Sequence, residues 1–244
     1  MKHLIKELQN RFKQNADLQT KAWFENYLRG SISYYGIKTP EIKKIVTQWV
    51  KDNSIEKEDL KKQLLLAESL FSLPHAEEKL AGTLYIQYYL LKKLSSEKIL
   101  KLAEKCFAKA YFFDWSTADW FTVRVLSPLV KTEEVCLKRM EEWTNSKNLW
   151  QRRASIVSLR PLVKEKKHVA QIKRTVSKLV KDSKRFIQTG IGWTLSDLSK
   201  HFPKEASLII EKHFEKLSLE VIDRHTKYLA QHKNYKKRKR RQIK

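Results

Sequence analysis

Apolar residues recur at steps of three and four positions along nearly the whole chain. At the start of the sequence this spacing is carried by Leu4, Ile5, Leu8 and Phe12. It places apolar side chains on one face of an α-helix, and we expect Trp23, Trp49 and Trp143 to belong to the core formed by such faces. Only five Gly and five Pro occur in 244 residues, too few for the tight turns that a β-sandwich or barrel needs roughly every 8–12 residues. The sequence therefore predicts an all-α fold.

Polar turn signals, such as Thr39 as an N-cap before Pro40 at the first helical position, divide the chain into about a dozen helices. Such a chain folds as a compact bundle or as a solenoid of helix pairs, and self-similarity at a fixed period distinguishes the two. Trp115, Arg153 and Trp193 lie 38 and then 40 residues apart, close to the period of HEAT-like repeats. Chance could also place them so among seven Trp residues, and both architectures stay open on this spacing alone.

The chain carries 51 Lys and Arg residues against 27 Asp and Glu residues, which gives a formal net charge of +24. Residues 101–145 hold seven basic and seven acidic side chains, whereas residues 146–232 hold 19 and 8. Excess positive charge on a folded body indicates a polyanionic partner, and nucleic acid is the commonest large one. An anionic membrane surface is the rival partner, but no strongly amphipathic Lys/Trp helix is evident that would dock there.

The last twelve residues, 233–244, hold eight Lys and Arg residues and no acidic residue. Because this segment lacks an apolar face and repels itself, we predict a disordered basic tail that follows a single domain over residues 1–232. Three roles are open for such a tail: an electrostatic tether to phosphate, a nuclear address in a eukaryotic host, or a solubilising extension.

Several other classes of protein are disfavoured by local patterns. Cys106 and Cys136 have neither a CxxC motif nor a His at metal-ligand spacing, which argues against a zinc site and a disulfide framework. The charged N-terminal segment has no apolar stretch of a signal peptide, and no run approaches the ~18 apolar residues of a membrane span. We therefore expect a soluble intracellular protein, cytoplasmic and nucleoid-associated in a bacterium or nuclear in a eukaryote.

The segment from Asp114 to Phe121 is predicted to begin a helix, with Asp114 as its N-cap. Trp115 and Asp119 are four residues apart, so their side chains lie one above the other on the same helix face. An aromatic ring attracts a cation by roughly 0.5–2 kcal/mol, and a nearby carboxylate attracts it further while holding a water molecule. The pair therefore suits the oxocarbenium ion that develops when a glycosidic bond breaks. The alternative is a core tryptophan beside an Asp119 that only solvates a surface.

A second helix start follows Asn148 and contains two adjacent arginines, Arg152 and Arg153. Their side chains point in different directions around the helix, so at most one of them shares the face of Trp150. An arginine side chain can bind a phosphate with two parallel hydrogen bonds. These residues are therefore candidates for contacts with a nucleic-acid backbone.

A third segment places Gly190 and Gly192 in the predicted helix that contains Trp193. Because Gly inside a helix costs ~1 kcal/mol relative to Ala, the two glycines indicate the close approach of another helix or of a ligand. Lys184 and Arg185 lie just before this helix motif and either touch phosphate or occupy a solvated turn.

Four separated motifs, in this order, resemble the AlkD family of DNA alkylpurine glycosylases. They are Tyr27 with the turn Tyr34-Tyr35-Gly36-Ile37-Lys38-Thr39-Pro40, the pair Trp115 and Asp119, the run Trp150-Gln151-Arg152-Arg153-Ala154, and the segment from Phe186 to Trp193. The resemblance covers nearly the whole chain except the basic tail. It implies an all-α superhelical solenoid of HEAT-like repeats.

The resemblance also implies roles for individual residues. Asp119 would stabilise the oxocarbenium ion and place the attacking water, while Trp115 and Trp193 would pack against the deoxyribose of the damaged nucleotide. The residues that would grip the duplex are Arg153, on a backbone phosphate, together with Tyr27 and the helix start at Thr39. From the residues themselves, Arg152, Lys184 and Arg185 join this predicted DNA-binding set.

The activity that the resemblance implies is excision of N3- and N7-alkylated purines from duplex DNA, without extrusion of the damaged base, by a monomer that needs no metal or nucleotide cofactor. A monofunctional enzyme is expected, because no Lys lies beside the motif in sequence. One departure is Ser116, where the family commonly has a second acidic residue. Two alternatives therefore stay open: a non-catalytic DNA-binding paralogue and a HEAT-type scaffold for a protein partner.

Overall fold

Helices account for most of residues 1–243, the part of the chain that the computed structural model describes. Within those residues the only β pairing is an isolated parallel bridge between Ser33 and His75, and the predicted all-α class is confirmed. Every helix in this part also falls short of the length and apolar character needed to cross a lipid bilayer. Internal contacts divide the chain into two compact units, Met1–Val125 and Leu126–Lys244.

The first unit contains seven α-helices that are joined by short turns. They are α1 Lys2–Gln14, α2 Leu18–Tyr27, α3 Thr39–Asp52, α4 Leu60–Phe71, α5 Ala76–Tyr85, α6 Ser96–Ala108 and α7 Trp115–Phe121. A 3₁₀ turn at Ile55–Lys57 follows α3, and a π-helical turn at Ile86–Leu90 extends α5. A second π-helical turn, Thr122–Leu126, continues α7 to the boundary of the unit.

α5 is the central helix of the first unit, because all ten of its residues are buried. Helices α3, α4 and α7 pack against it. Charged side chains at buried positions need internal partners, and the three on α5 have them. The ammonium Nζ of Lys79 donates a hydrogen bond to the carbonyl oxygen of Phe71 at 2.6 Å. Glu77 accepts a bond from the backbone N–H of Tyr35, and Glu78 accepts one from the Tyr35 hydroxyl. Burial lowers the pKa of Lys79 to about 8.

The second unit contains eight α-helices within the described residues. They are α8 Ser127–Thr132, α9 Glu134–Trp143, α10 Leu149–Val157, α11 Val169–Leu179, α12 Arg185–His201, α13 Pro203–His213, α14 Leu219–His225 and α15 His232–Ile243. Short 3₁₀ turns lie at Arg160–Lys164, Lys166–His168 and Phe214–Lys216. The 17-residue helix α12 is central, and α10, α13, α14 and the first of these 3₁₀ turns pack against it.

The C-terminal segment differs from the predicted disordered tail. Residues 232–243 form α15, in which Tyr235 and Lys239 are buried against the second unit. The prediction was wrong because the counter-charges and the apolar contact come from distant parts of the sequence: Arg238 forms an ion pair with Glu211 at 2.6 Å. Residue 244, the last of the predicted tail, lies outside the described residues, and the single domain over 1–232 stays a prediction.

Candidate functional site

The helix α7 begins where the sequence predicts, with Asp114 as its N-cap. The Asp114 carboxylate accepts hydrogen bonds from the backbone N–H of Thr117 at 3.0 Å and from the Thr117 hydroxyl. Asp114 is almost fully buried, and burial raises its pKa above the ordinary value although these bonds oppose the shift. The cap fixes the first turn of α7, and this turn carries Trp115.

Trp115 and Asp119 lie one turn apart in α7. Trp115 is half-buried and packs against a small apolar cluster that includes Leu28, Ile32 and Tyr34. Asp119 is only 6% exposed, so its carboxylate lies in a largely desolvated position. An aromatic ring beside such a carboxylate is the arrangement that attracts a cation, since charge interactions strengthen where water is excluded.

Three aromatic rings of the first unit form a contact series that we term the aromatic ladder: Trp23, Tyr27 and Trp115. The rings of Trp23 and Tyr27 stack at 5.3 Å with an interplanar angle of 9°, and the edge of Tyr27 meets Trp115 at 5.6 Å. Trp23 and Tyr27 are 60% and 58% exposed. The structure thus brings together two predicted residues, Tyr27 and Trp115, and adds a third.

The expectation that Trp23 belongs to the core was wrong, whereas Trp49 and Trp143 are buried as predicted. Helix α2 has no buried residue at all. Its inner contact is made by Phe24, which stacks on Tyr34 at 4.8 Å. Residue 23 points away from that side because neighbouring positions in a helix face different directions. The adjacency of Trp23 and Phe24 could therefore have indicated that only one of the two side chains faces the core.

The turn before α3 is held by one buried carboxylate, that of Glu77 on α5. It accepts backbone N–H bonds from Tyr35 at 3.1 Å, Gly36 at 2.9 Å and Ile37 at 3.1 Å. Gly36 has φ +98° in the left-handed region, and a Cβ there would lie 2.1 Å from the carbonyl oxygen of Asp17. Only glycine fits this turn, which delivers the chain to the start of α3.

Thr39 is the first residue of α3, not its N-cap. The N-cap is Lys38, and no side chain caps the helix. Pro40 therefore stands at the second helical position and not at the first, and its missing N–H costs no hydrogen bond there because the first turn has no intrahelical acceptors. Lys38 is exposed and Thr39 is half-buried, so this helix start lies next to a cation and near the surface.

In the second unit, α10 begins after Asn148 as predicted, with the Asn148 side chain accepting bonds from the backbone N–H groups of Trp150 and Gln151. Arg153 is 4% exposed. Its guanidinium donates to the carbonyl oxygen of Phe186 and to the Thr189 hydroxyl, the latter at 3.2 Å. The ring of Trp150 lies 4.9 Å from that of Phe186. Arg153 thus fastens α10 to the first turns of α12.

The other predicted phosphate-binding cations differ in how far they are engaged. Arg152 donates twice to Asp182, at 2.9 and 2.8 Å, and also to the backbone carbonyl of Ser146 at 2.7 Å. Arg185 forms a two-bond pair with Glu220, each bond 2.7 Å. Lys184 is the exposed N-cap residue of α12. Among these three cations, Lys184 is the most accessible to a partner.

Trp193 is half-buried on α12, and a cation already lies over its ring. The guanidinium carbon of Arg160 is 3.4 Å from the ring centroid. The same guanidinium donates from Nε to the Asp197 carboxylate at 2.7 Å, and Asp197 follows Trp193 by one helical turn. The sequence analysis missed Arg160 and Asp197. The four-residue spacing between Trp193 and Asp197, the same as between Trp115 and Asp119, could have indicated Asp197.

Both glycines of α12 mark the close approach of neighbouring helices, one of the two predicted explanations. A Cβ at Gly190 would lie 3.2 Å from the Arg153 guanidinium, and one at Gly192 would lie 2.6 Å from the ring of His225 on α14. The second contact is too short for any side chain larger than hydrogen. Burial lowers the pKa of His225 below its ordinary value, which favours the neutral ring in this contact.

The predicted residues thus fall into two groups that lie in different units. Tyr27, Thr39, Trp115 and Asp119 belong to the first unit, and the second holds Arg152, Arg153, Lys184, Arg185 and Trp193. Within residues 1–243, no three His, Cys, Asp or Glu side chains are grouped in a way that could hold a metal ion.

Comparison with known proteins connects most of the chain to one family. The sequence pattern of the family described as "DNA alkylation repair enzyme" matches residues 8–238. No curated protein matches the chain significantly by sequence.

Solved structures match the fold. A predicted DNA alkylation repair enzyme from Enterococcus faecalis superposes with a TM-score of 0.75 at 21% identity, over 88% of this chain and 97% of its own. AlkD2 from Streptococcus mutans gives 0.55 at 19% identity, over 82% and 89% of the two chains. The protein smu.31 from Streptococcus mutans UA159 gives 0.53 at 20% identity, over 72% and 98%. These similarities show a common fold.

Proposed function

Because the chain belongs to the family of DNA alkylation repair enzymes, we propose that it is a monofunctional DNA glycosylase. Its substrate is duplex DNA with a purine that carries an alkyl group on N3 or N7, and it acts without flipping the base out of the duplex. The observation that carries this proposal is the Trp115 and Asp119 pair, a partly accessible ring one turn from a largely buried carboxylate.

The proposed reaction begins with departure of the alkylated base. The C1′–N bond breaks and its electron pair leaves with the base, which was cationic and becomes neutral, so no general acid is required. The sugar becomes an oxocarbenium ion, and the Asp119 carboxylate stabilises that charge. A water held by Asp119 attacks C1′, its proton passes to the carboxylate and then to solvent, and the products are a free base and an abasic site.

Other residues position the substrate in this proposal. Trp115 and Trp193 pack against the deoxyribose, and the exposed Tyr27 and the helix start at Thr39 contact the backbone of the duplex. Among the predicted cations, Lys184 is placed best for a phosphate because its side chain is exposed, while the equally accessible Arg185 is paired with Glu220. Arg153, whose hydrogen bonds reach the first turns of α12, orients that helix beside its proposed phosphate contact.

Strand cleavage would need a lysine amine at the site, and Lys79 lies on α5, which packs against α7. A Schiff base requires a neutral and accessible amine, and Lys79 has a pKa lowered to about 8. However, Lys79 is 1% exposed. Its ammonium lies 5.1 Å from the ring centre of Phe113 and is bonded to Phe71. A sugar aldehyde therefore has no approach to this amine.

The test is release of 7-methylguanine or 3-methyladenine from methylated duplex DNA. We expect wild type to release the base, and Asp119→Asn to lower the single-turnover rate on the order of 10²–10³-fold. The variant keeps the shape of the side chain, and its melting temperature checks that the fold is intact. A wild type that releases no base, or a variant as fast as wild type, contradicts the proposal.

A non-catalytic DNA-binding protein is the second candidate, and Ser116 favours it. This residue stands where the family commonly has an acid, and its hydroxyl supplies no second carboxylate beside Asp119. That candidate predicts tight duplex binding with a steep dependence on salt and no release of base.

A further inference from the structure

Helix α15 is fastened to the second unit by its apolar and long side chains. Tyr235 is buried, and its ring lies 5.7 Å from that of Phe214. The ammonium of Lys239 donates to the backbone carbonyls of Phe214 at 3.2 Å and Glu215 at 3.0 Å. These contacts fix both the position of α15 and its rotation about its own axis.

The cations next to this buried side are neutralised by acidic residues of other helices. Arg238 pairs with Glu211 at 2.6 Å. On the other flank, Lys236 and Arg240 lie 3.5 and 3.7 Å from Asp223. Three of the basic side chains of α15 are therefore engaged within the protein.

The remaining face of α15 carries Lys233, Lys237 and Arg241, which we term the cationic ridge. All three are exposed, and no carboxylate of the described residues forms an ion pair with any of them. They are spaced four residues apart and so lie along one side of the helix. With a rise of about 1.5 Å per residue, the ridge spans ~12 Å.

We propose that the cationic ridge binds phosphates along the backbone of duplex DNA. The proposal depends on the proposed function only for the identity of the partner. Duplex DNA presents about one negative charge per 1.7 Å of its axis, so several phosphates lie within reach of a ridge of this length. Because α15 is already fixed in place, three cations meet the backbone without first ordering a flexible chain.

The composition of α15 favours DNA over an anionic membrane surface. A helix that docks on a membrane presents large apolar side chains beside its basic face. In α15, among residues 232–242, the one apolar or aromatic side chain is Tyr235, which is buried. The ridge therefore offers charge alone, which suits a phosphate backbone in water.

The test compares two triple variants that lose the same net charge. The ridge variant is Lys233→Gln, Lys237→Gln and Arg241→Gln. The control changes three lysines of α4, α6 and α9 whose side chains are 71–73% exposed and already paired with an acid one turn away: Lys62→Gln, Lys101→Gln and Lys138→Gln.

Affinity for an unmodified duplex is measured in the full chain between about 50 and 200 mM salt. Each phosphate contact contributes about 0.9 to the slope of log K against log salt, so the ridge variant should lower the slope by about 2.7. Its affinity deficit relative to wild type should then shrink about 40-fold over that range. The control should keep the wild-type slope, and circular dichroism should show the same helix content in all three proteins.

Each outcome bears on the ridge separately from the glycosylase proposal. A ridge variant with the slope of the control overturns the ridge, even if base release is observed. Ridge-dependent binding without base release keeps the ridge and contradicts the glycosylase proposal. Phosphatidylserine vesicles that bind wild type as strongly as DNA does, and lose that binding in the ridge variant, would overturn the assignment to DNA.

Discussion

Each unit carries a tryptophan followed one helical turn later by an aspartate, but the two pairs are used differently. In α12, the Trp193 ring is covered by the guanidinium of Arg160 at 3.4 Å, and that cation is paired with Asp197. In α7, the Trp115 ring meets the edge of Tyr27, and no Lys or Arg of the described residues lies over it. The α12 pair therefore holds a cation that belongs to the protein, whereas the Trp115 ring of the α7 pair contacts an aromatic side chain.

The pair in α12 shows how a planar cation binds to a ring and a carboxylate one turn apart. Arg160 stacks on the ring of Trp193 while its N–H groups reach Asp197, so ring and carboxylate act on the same ion. The base of an N3- or N7-alkylated purine nucleotide is also planar and cationic, and its sugar becomes cationic as the bond to the base breaks. The arrangement at α12 is thus an internal example of the recognition that we propose for Trp115 and Asp119.

The largest expected difference between the pairs lies in base release. Asp119→Asn should slow release on the order of 10²–10³-fold, as proposed above. Asp197→Asn should slow it less than about tenfold, because Arg160 and Lys200 already neutralise that carboxylate and leave little field for a substrate. Single-turnover rates on methylated duplex DNA measure both. Equal losses in the two variants would mean that the carboxylates are not used differently.

The N-cap residue of α7, Asp114, is buried, whereas that of α12, Lys184, is exposed. Burial lowers the pKa of Lys79, near Asp114, to about 8 from 10.5. Between these values the unfolded chain binds a proton that the folded chain does not, so the free energy of unfolding should rise with pH. The expected contribution is about 3 kcal/mol.

Urea unfolding of wild type and Lys79→Met between pH 7.5 and 10.5 measures this rise, because the difference between the two proteins removes the other titrating groups. The rise attributed to Lys79 should be missing in the variant. Parallel curves for the two proteins would show that this amine stays protonated in the fold.

A smaller effect is expected from the contact between Arg160 and Trp193. A double-mutant cycle with Arg160→Met and Trp193→Leu should give a coupling energy of roughly 0.5–2 kcal/mol in urea unfolding. Lys178→Met serves as the control for Arg160→Met, since Lys178 pairs with Glu141 on α9 and should be additive with Trp193→Leu. If the Arg160 and Trp193 substitutions are additive as well, the cation over the ring does not contribute to the free energy of unfolding.

The smallest expected effect concerns the open end of the aromatic ladder. Trp23→Ala should change the free energy of unfolding by less than about 1 kcal/mol, because the side chain is 60% exposed and surface changes are usually small. Trp49→Ala, at a fully buried position, should cost about 3–5 kcal/mol. Thermal or urea unfolding compares the two, and similar losses would place Trp23 in the core after all.

The parts of the structure that the sequence could predict depend on neighbouring residues. The starts of α7 and α10 are set by Asp114 and Asn148, whose side chains bond to N–H groups two or three positions away. The all-α class follows from a period that repeats every few residues. A close approach at Gly192 was also expected, of a helix or of a ligand, because glycine inside a helix is unfavourable relative to alanine. That the neighbouring group is the ring of His225 could not be predicted from the sequence.

The parts that could not be predicted depend on contacts between distant residues. Arg160 lies 33 residues from the ring that it covers, and Glu77 is about 40 residues from the turn that it holds. α15 was predicted to be disordered because its own sequence repels itself, whereas Glu211 and Asp223 supply the opposite charge. No local sequence pattern indicates which acidic side chain will form an ion pair with which basic one once the helices pack.

The single carboxylate of Glu77 that binds three successive backbone N–H groups has a consequence for recognition speed and strength. Fixing the backbone of one residue costs about 1–2 kcal/mol of conformational entropy. For Tyr35, Gly36 and Ile37 the hydrogen bonds to Glu77 offset that cost when the protein folds. The same cost is therefore not incurred again on binding. In the proposed contact with DNA, the start of α3 therefore meets the duplex as a rigid body, and the first encounter already has the geometry of the final contact.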